Sequence, residues 1–222
     1  NRIPQLPIKE RFVIFASVGS LFMGAFGAMA QKKITRLLVY SSIGHVGYLL
    51  IGICCGTVEG LQAVLLYLIL YVFMTVNVFT IILSCIDHSN TFRLKYIQDL
   101  GLLGQTHPVL AFTFSCTLFS MAGIPPLAGF CSKFYLFFAA MGSSLYGLAL
   151  FGVLSSVVSC FYYIRLIKIM YCEQPSQLIT YGAIDHEKAI LLGITSTVIV
   201  FFFLCPHSLF LWTYKVAYMF LG

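Results

Sequence analysis

Charge is what this chain has least of. Only 9% of its 222 residues are Asp, Glu, Lys or Arg, with seven acidic side chains against thirteen Lys and Arg. A soluble domain carries about 25% charged residues, so a surface turned to water is excluded. The sequence also lacks a Gly-rich phosphate loop, paired carboxylates inside an apolar run, and any His/Cys ligand set. Hydrolysis, redox chemistry and a metal centre are therefore not expected within this chain. Cysteine is not scarce, but C-x-x-C spacing is absent. Cys54, Cys55, Cys85, Cys116, Cys131, Cys160, Cys172 and Cys205 lie nearly all in apolar runs and read as small hydrophobic filler. No signal-peptide pattern precedes the first apolar run, and a start at Asn1 without an initiator Met reads as a piece of something longer.

What the chain has in abundance is apolar sequence, at 60% of residues and a mean hydropathy of +0.96. Long apolar stretches between short charged connectors exclude a β-barrel, whose strands alternate every second residue. The fold class is an all-α polytopic membrane protein. About 20 apolar residues span a bilayer as a helix, and six stretches qualify: 12–30, 37–58, 61–86, 109–141, 145–170 and 189–212, the last followed by a short tail suited to the interface. They form a single transmembrane helical domain.

The net charge of +6 is not a nucleic-acid footprint, because the basic residues cluster at predicted helix ends. With six single crossings, Lys32, Lys33, Arg36, Arg93, Lys95, Arg165, Lys168 and Lys188 fall on one side. Arg2, Lys9, Arg11 and Lys215 fall on the other. The richer side reads as the cytoplasm-equivalent face, the matrix of a mitochondrion, with both chain ends opposite.

The fourth stretch is too long for one crossing: residues 109–141 rise about 50 Å as a straight helix, against roughly 30 Å of hydrocarbon. It contains GIPPLAGFCSK at 123–133. Gly123, Pro125 and Pro126 are expected to break the helix there. Unpaired backbone at that depth needs protein or a wet cavity around it, and Lys133 follows two turns later. Snorkelling toward headgroups is one reading of that lysine. The other is an amine in a hydrated interior that cycles between charged and neutral forms, since intramembrane ionisable residues mark transport pathways.

The second stretch carries YSSIGHVGY at 40–48, which puts Ser41, His45 and Tyr48 on one helix face. Imidazole exchanges protons near neutral pH. It also serves as a packing residue, and the sequence leaves both roles open. Further polar stripes are Tyr67, Tyr71 and Thr75; Asn77, Thr80 and Ser84; Thr113, Thr117 and Ser120; and Ser155, Ser159 and Tyr162. Each alone is enough for interhelical hydrogen bonding. Together they outline a hydrated interior.

QKKITRLLVYSSIGHVGYLL (31–50), MAGIPPLAGFCSKFYLFFAA (121–140) and SCFYYIRLIKIMY (159–171) resemble the chain 2 family of antiporter-like subunits in respiratory complex I, the proton-pumping NADH–quinone oxidoreductase. The Cys- and Phe-rich flavour is similar to mitochondrially encoded, plant-type members. The resemblance implies two inverted repeats, of which this chain covers the second plus a final helix. It also implies a mitochondrial inner-membrane location. Lys133 matches the family's lysine on the second broken helix, assigned to proton transfer, and His45 a polar position on the central axis. Ser41, Tyr48, Arg36, Lys33, Tyr71, Thr75 and Tyr162 are candidates for the rest of the path.

The family's membrane glutamate and paired lysines belong to its first half and are not in this sequence. The partners implied are that N-terminal half, neighbouring antiporter-like and other membrane-arm subunits, and lipids, with no nucleic acid. No cofactor is expected here, FMN, iron–sulfur clusters and ubiquinone being held elsewhere in the complex. An independent cation/proton antiporter and a purely structural helix bundle are the rival readings.

Overall fold

The computed structural model describes residues 8–84, 95–101, 103–173, 185–202, 204 and 206–221. Arg2, Cys85, Arg93 and Cys205, named above, lie outside these. Among the described residues there is no strand, only one isolated antiparallel bridge between Lys33 and Tyr96. The helices are α1 (Ile8–Met29), α2 (Ile34–Cys54), α3 (Val58–Ser84), α4 (Leu103–Thr106), α5 (Pro108–Ala122), α6 (Ala128–Gly142), α7 (Tyr146–Cys172), α8 (His186–Phe201) and α9 (His207–Leu221), with a 3₁₀ turn at Ile97–Leu100.

Four of them, α1, α2, α3 and α7, are long and apolar enough to cross a membrane. The fourth predicted stretch is two shorter apolar helices, α5 and α6, separated at Gly123–Leu127. Pro108 opens α5 at its first turn, where its missing N–H costs nothing. Gly123 closes it in the left-handed conformation at φ 89°, which a side chain resists. The sixth stretch, read as one span over 189–212, is corrected: α8 ends at Phe201 and α9 begins at His207. Pro206 explains the interruption, since its ring clashes with the preceding turn and it has no N–H to give.

The bundle is inside-out relative to a soluble protein. Large apolar side chains such as Phe12, Phe15, Val109, Phe151 and Val157 are exposed on the outside. The interior mixes apolar residues (Leu70, Met74, Phe114, Leu118) with polar ones (Ser41, His45, Asn77, Thr117, Ser120, Lys133), all buried. That outer band suits acyl chains. α1 lies along α2, α7 packs against α1 and α5, and α3 is flanked by α6, α8 and α9. The basic connectors meet at one end. Ile34 and Ile97 donate their N–H groups to the carbonyls of Lys95 and Lys32 (3.3 and 3.1 Å), and Arg165 donates to the Met29 carbonyl at 3.3 Å.

Candidate functional site

The α5–α6 interruption builds the site. A helix that stops leaves its last carbonyls without intrahelical donors, and they carry the negative end of the helix dipole. Gly123 turns the chain so that its own N–H bonds back to Phe119 and Ser120 (both 3.0 Å). The Met121 and Ala122 carbonyls are left facing inward, and the Lys133 amine donates to both, at 2.9 and 3.1 Å. Lys133 belongs to α6 yet caps the C-terminus of α5. Only 5% of its surface is exposed, so the amine does not reach out to headgroups.

The crossing of the two half-helices is close enough to demand glycine. A Cβ on Gly129 would run into the Ser120 carbonyl, and the Gly129 N–H donates to Ser120 Oγ at 3.0 Å. At Gly123 a Cβ would sit 3.1 Å from Lys133 Cδ, inside the space the side chain occupies.

Above the amine lies the Tyr48 ring, its centroid 4.9 Å from Nζ, a distance at which the ring face attracts a cation. Tyr48 Oη shares a hydrogen bond with Ser155 Oγ at 2.9 Å. Three residues back on α2, His45 is buried with both ring nitrogens engaged. Nδ1 lies 2.7 Å from Tyr67 Oη and Nε2 3.2 Å from Tyr163 Oη. A neutral imidazole donates from one nitrogen and accepts at the other, and a phenol does either. The Tyr67–His45–Tyr163 chain therefore accommodates either tautomer of the imidazole. The His45 and Tyr71 rings are 4.7 Å apart, and the Tyr162 and Tyr163 rings lie 4.5 Å apart, tilted at 52°.

One cavity joins these groups. Ser41, His45, Tyr48, Lys133, Ser155, Ser159, Tyr162 and Tyr163 line it, with Leu21 and Ala25 of α1 as its apolar wall, and it offers about 10 Å³ to a water-sized sphere. That is roughly the room one water needs. No carboxylate lines it, and no group of His, Cys, Asp or Glu among the described residues is arranged to hold a metal.

Of the residues proposed from sequence, Lys133, His45, Ser41, Tyr48 and Tyr162 thus meet at one cavity, and Tyr71 packs against its histidine. Gly123, Pro125 and Pro126 form the break itself. Three others stand apart. Thr75, on α3, gives its hydroxyl to the Tyr71 and Val72 carbonyls of its own helix (3.0 and 2.9 Å). Arg36 is exposed and Lys33 sits in the bridge to Tyr96 at the bundle's end. Their nine and twelve residues of separation from His45 amount to about 13 and 18 Å along the helix axis. The sequence reading missed Tyr163 altogether and kept Tyr67 only in a stripe; the FYY run at 161–163 was the available signal.

Residues 4–159 match the family described as NADH:quinone oxidoreductase/Mrp antiporter, transmembrane. The chain is 57% identical over 211 residues to NADH-ubiquinone oxidoreductase chain 2 of Marchantia polymorpha, covering 95% of this chain and 42% of that protein. It is 45% identical over 200 residues to NADH-quinone oxidoreductase subunit N of Paramagnetospirillum magneticum, covering 90% and 40% respectively. Among solved structures, a chain of respiratory complex I from Thermus thermophilus with bound aureothin superposes at a TM-score of 0.77 with 27% identity. That match covers 89% of this chain and 44% of the other. The chain thus spans less than half the length of these relatives.

Proposed function

The chain belongs to the NADH:quinone oxidoreductase/Mrp antiporter transmembrane family, and on that premise we propose that it is the C-terminal part of a proton-translocating membrane-arm subunit of NADH:ubiquinone oxidoreductase. The likeness to the Marchantia protein supports a place in the mitochondrial inner membrane as a multi-pass subunit. The gathering of Lys32, Lys33, Lys95 and Arg165 at one end supports a matrix-facing basic end, with Ile8 and the far end of α9 on the intermembrane side. Quinone reduction, and the FMN and iron–sulfur clusters that feed it, are held by other subunits.

A single observation carries the reading: a lysine amine buried at a helix break, held by two carbonyls which that break sets free, in the same small cavity as a histidine relayed by two tyrosines. The Met121 and Ala122 carbonyls and the Tyr48 ring stabilise the ammonium form. Loss of solvent stabilises the neutral form. A modest electrostatic change along the arm then tips the amine between the two. His45 supplies the proton from the axis side, its tautomer exchanging between Tyr67 and Tyr163, and the cavity gives one water room to bridge toward Nζ. Moving one charge against 100 mV costs about 2.3 kcal/mol. No group here supplies that energy, so coupling to a downhill reaction in partner subunits is obligatory.

The test is Lys133→Ala beside Lys133→Arg in the complete complex in sealed vesicles. Loss of a positioned acid–base group costs about 10²-fold or more in proton transfer, so proton uptake and coupled NADH oxidation should collapse with Ala while assembly persists. Unchanged pumping would leave the chain a scaffold. Because the family description also names Mrp antiporters, an independent cation/proton antiporter is the second reading; co-purification with NADH-oxidising subunits decides against it.

A further inference from the structure

A charged lysine amine has three N–H donors, and at Lys133 the Met121 and Ala122 carbonyls take two of them. A carbonyl oxygen accepts a hydrogen bond but does not carry the proton away. The proton that leaves is therefore the third, and its acceptor belongs to the cavity.

The hydrogen bonds already made narrow that choice. His45 has both ring nitrogens engaged, by Tyr67 and Tyr163. Ser41 and Ser159 donate to the Leu38 and Ser156 carbonyls of their own helices, at 2.9 and 2.7 Å. Ser155 likewise donates to the Gly152 carbonyl at 2.9 Å, but it is also reached from a second helix. Tyr48 Oη lies 2.9 Å from Ser155 Oγ. With the Ser155 hydrogen directed to Gly152, that contact runs in one sense: the tyrosine donates and the serine accepts. The Gly152 carbonyl is 3.5 Å from Tyr48 Oη, the longer and weaker of that hydroxyl's two options. Tyr48 Oη keeps its own lone pairs for a further donor. Its ring stands over the amine, 4.9 Å from Nζ, and Tyr48, Ser155 and Lys133 line the same cavity with its room for about one water.

The cavity also has two ends. On α7, Ser155, Ser159 and Tyr163 are spaced by four and share one face. Tyr163 is two residues from Arg165, which bonds the Met29 carbonyl at the basic end of the bundle. Ser155 is eight residues further back, about 12 Å along the axis. On α2, Tyr48 is three residues beyond His45 in the same direction, about 4.5 Å. The histidine thus meets α7 toward the basic end through Tyr163, and Tyr48 meets it away from that end through Ser155. Tyr48 is buried and Ser155 half-buried.

We propose that Tyr48 and Ser155 form the outlet of the lysine site, discharging Lys133 away from the basic end while the His45–Tyr163 side reloads it. The inference rests on Lys133 carrying protons and adds the route and sense of release. The hop balances. The third N–H bond of Nζ breaks as the cavity water takes its proton and gives another to Tyr48 Oη. The original Tyr48 hydrogen passes to Ser155 Oγ, and the original Ser155 hydrogen leaves to a water beyond it. The amine ends neutral, and both hydroxyls are restored with one proton each.

The experiment measures proton pumping and coupled NADH oxidation by the complete complex in sealed vesicles, in H₂O and in D₂O. Tyr48→Phe keeps the ring over the amine and loses the hydroxyl; Ser155→Ala keeps the helix and loses the acceptor. Each should slow coupled turnover severalfold and raise its solvent isotope effect above that of wild type, because the proton hop becomes limiting. The double variant should be no slower than the slower single one, since both break the same route, and Ser155→Thr, which keeps a hydroxyl, should restore the rate. Wild-type pumping in both single variants, additive losses in the double, or slower turnover with an unchanged isotope effect would each overturn the outlet. Should Tyr48→Phe fail to assemble, Ser155→Ala against Ser155→Thr decides alone. Lys133→Ala in the same vesicles separates the two readings. If it abolishes pumping while the outlet variants pump normally, only the outlet fails; if it pumps normally, the proton reading fails and the outlet with it.

Discussion

Among the described residues two apolar helices are interrupted, and they place their polar groups in opposite ways. At the α5–α6 break the carbonyls of Met121 and Ala122 turn inward and take the Lys133 amine, so the chain supplies its own partner from the next half-helix. At the α8–α9 break the His207 and Ser208 side chains are exposed, with no hydrogen-bond partner among the described residues. The first break turns its polar groups into the bundle; the second has polar side chains on the outside. An interruption in a membrane helix is thus not in itself a transport signature. What distinguishes it is where its polar groups find their partners.

The comparison can be broken at several points. The largest effect is expected from Gly129→Val. Its Cβ would collide with the Ser120 carbonyl, the half-helices could not cross, and immunoblots of native gels should show no assembled subunit. Next comes Gly123→Ala, which forces a side chain into φ 89° at a cost of about 1–3 kcal/mol and crowds Lys133 Cδ. Protons pumped per NADH should fall further than assembly does. If both fell in parallel, the inner break would be structural only.

Tyr163→Phe removes one of the two partners of His45 and leaves a buried ring nitrogen unsatisfied, worth about 1–3 kcal/mol. It should slow pumping while the complex still forms, and the double variant with Tyr67→Phe should slow it more than either single change. Smallest is Thr75→Val. Its hydroxyl serves only its own helix, so stability should stay within about 0.5 kcal/mol and the proton-to-NADH ratio should not move. A large drop there would extend the site beyond the cavity.

The inner break was legible because Pro125 and Pro126 fall in the middle of an apolar run too long for one crossing. The outer break was not, because Pro206 lies near the end of a run of ordinary span length and nothing in composition separates a kink from a terminus. His45 and Tyr48 could be placed on one face from their spacing alone. Their tyrosine partners could not, since Tyr67 and Tyr163 arrive from α3 and α7 and only tertiary packing brings them within 3.2 Å. Lys33 and Arg36 misled for a related reason: charge marks a helix end as strongly as a pathway, and their depth excludes them from the cavity.

The contact between α1 and α2 has a mechanical consequence. A Cβ on Gly24 would lie 2.6 Å from Gly44 Cα, so the two backbones touch with no side chain between them to bend or slide. Gly44 immediately precedes His45. A shift of α1 at this level meets no side-chain cushion before the main chain that carries the imidazole.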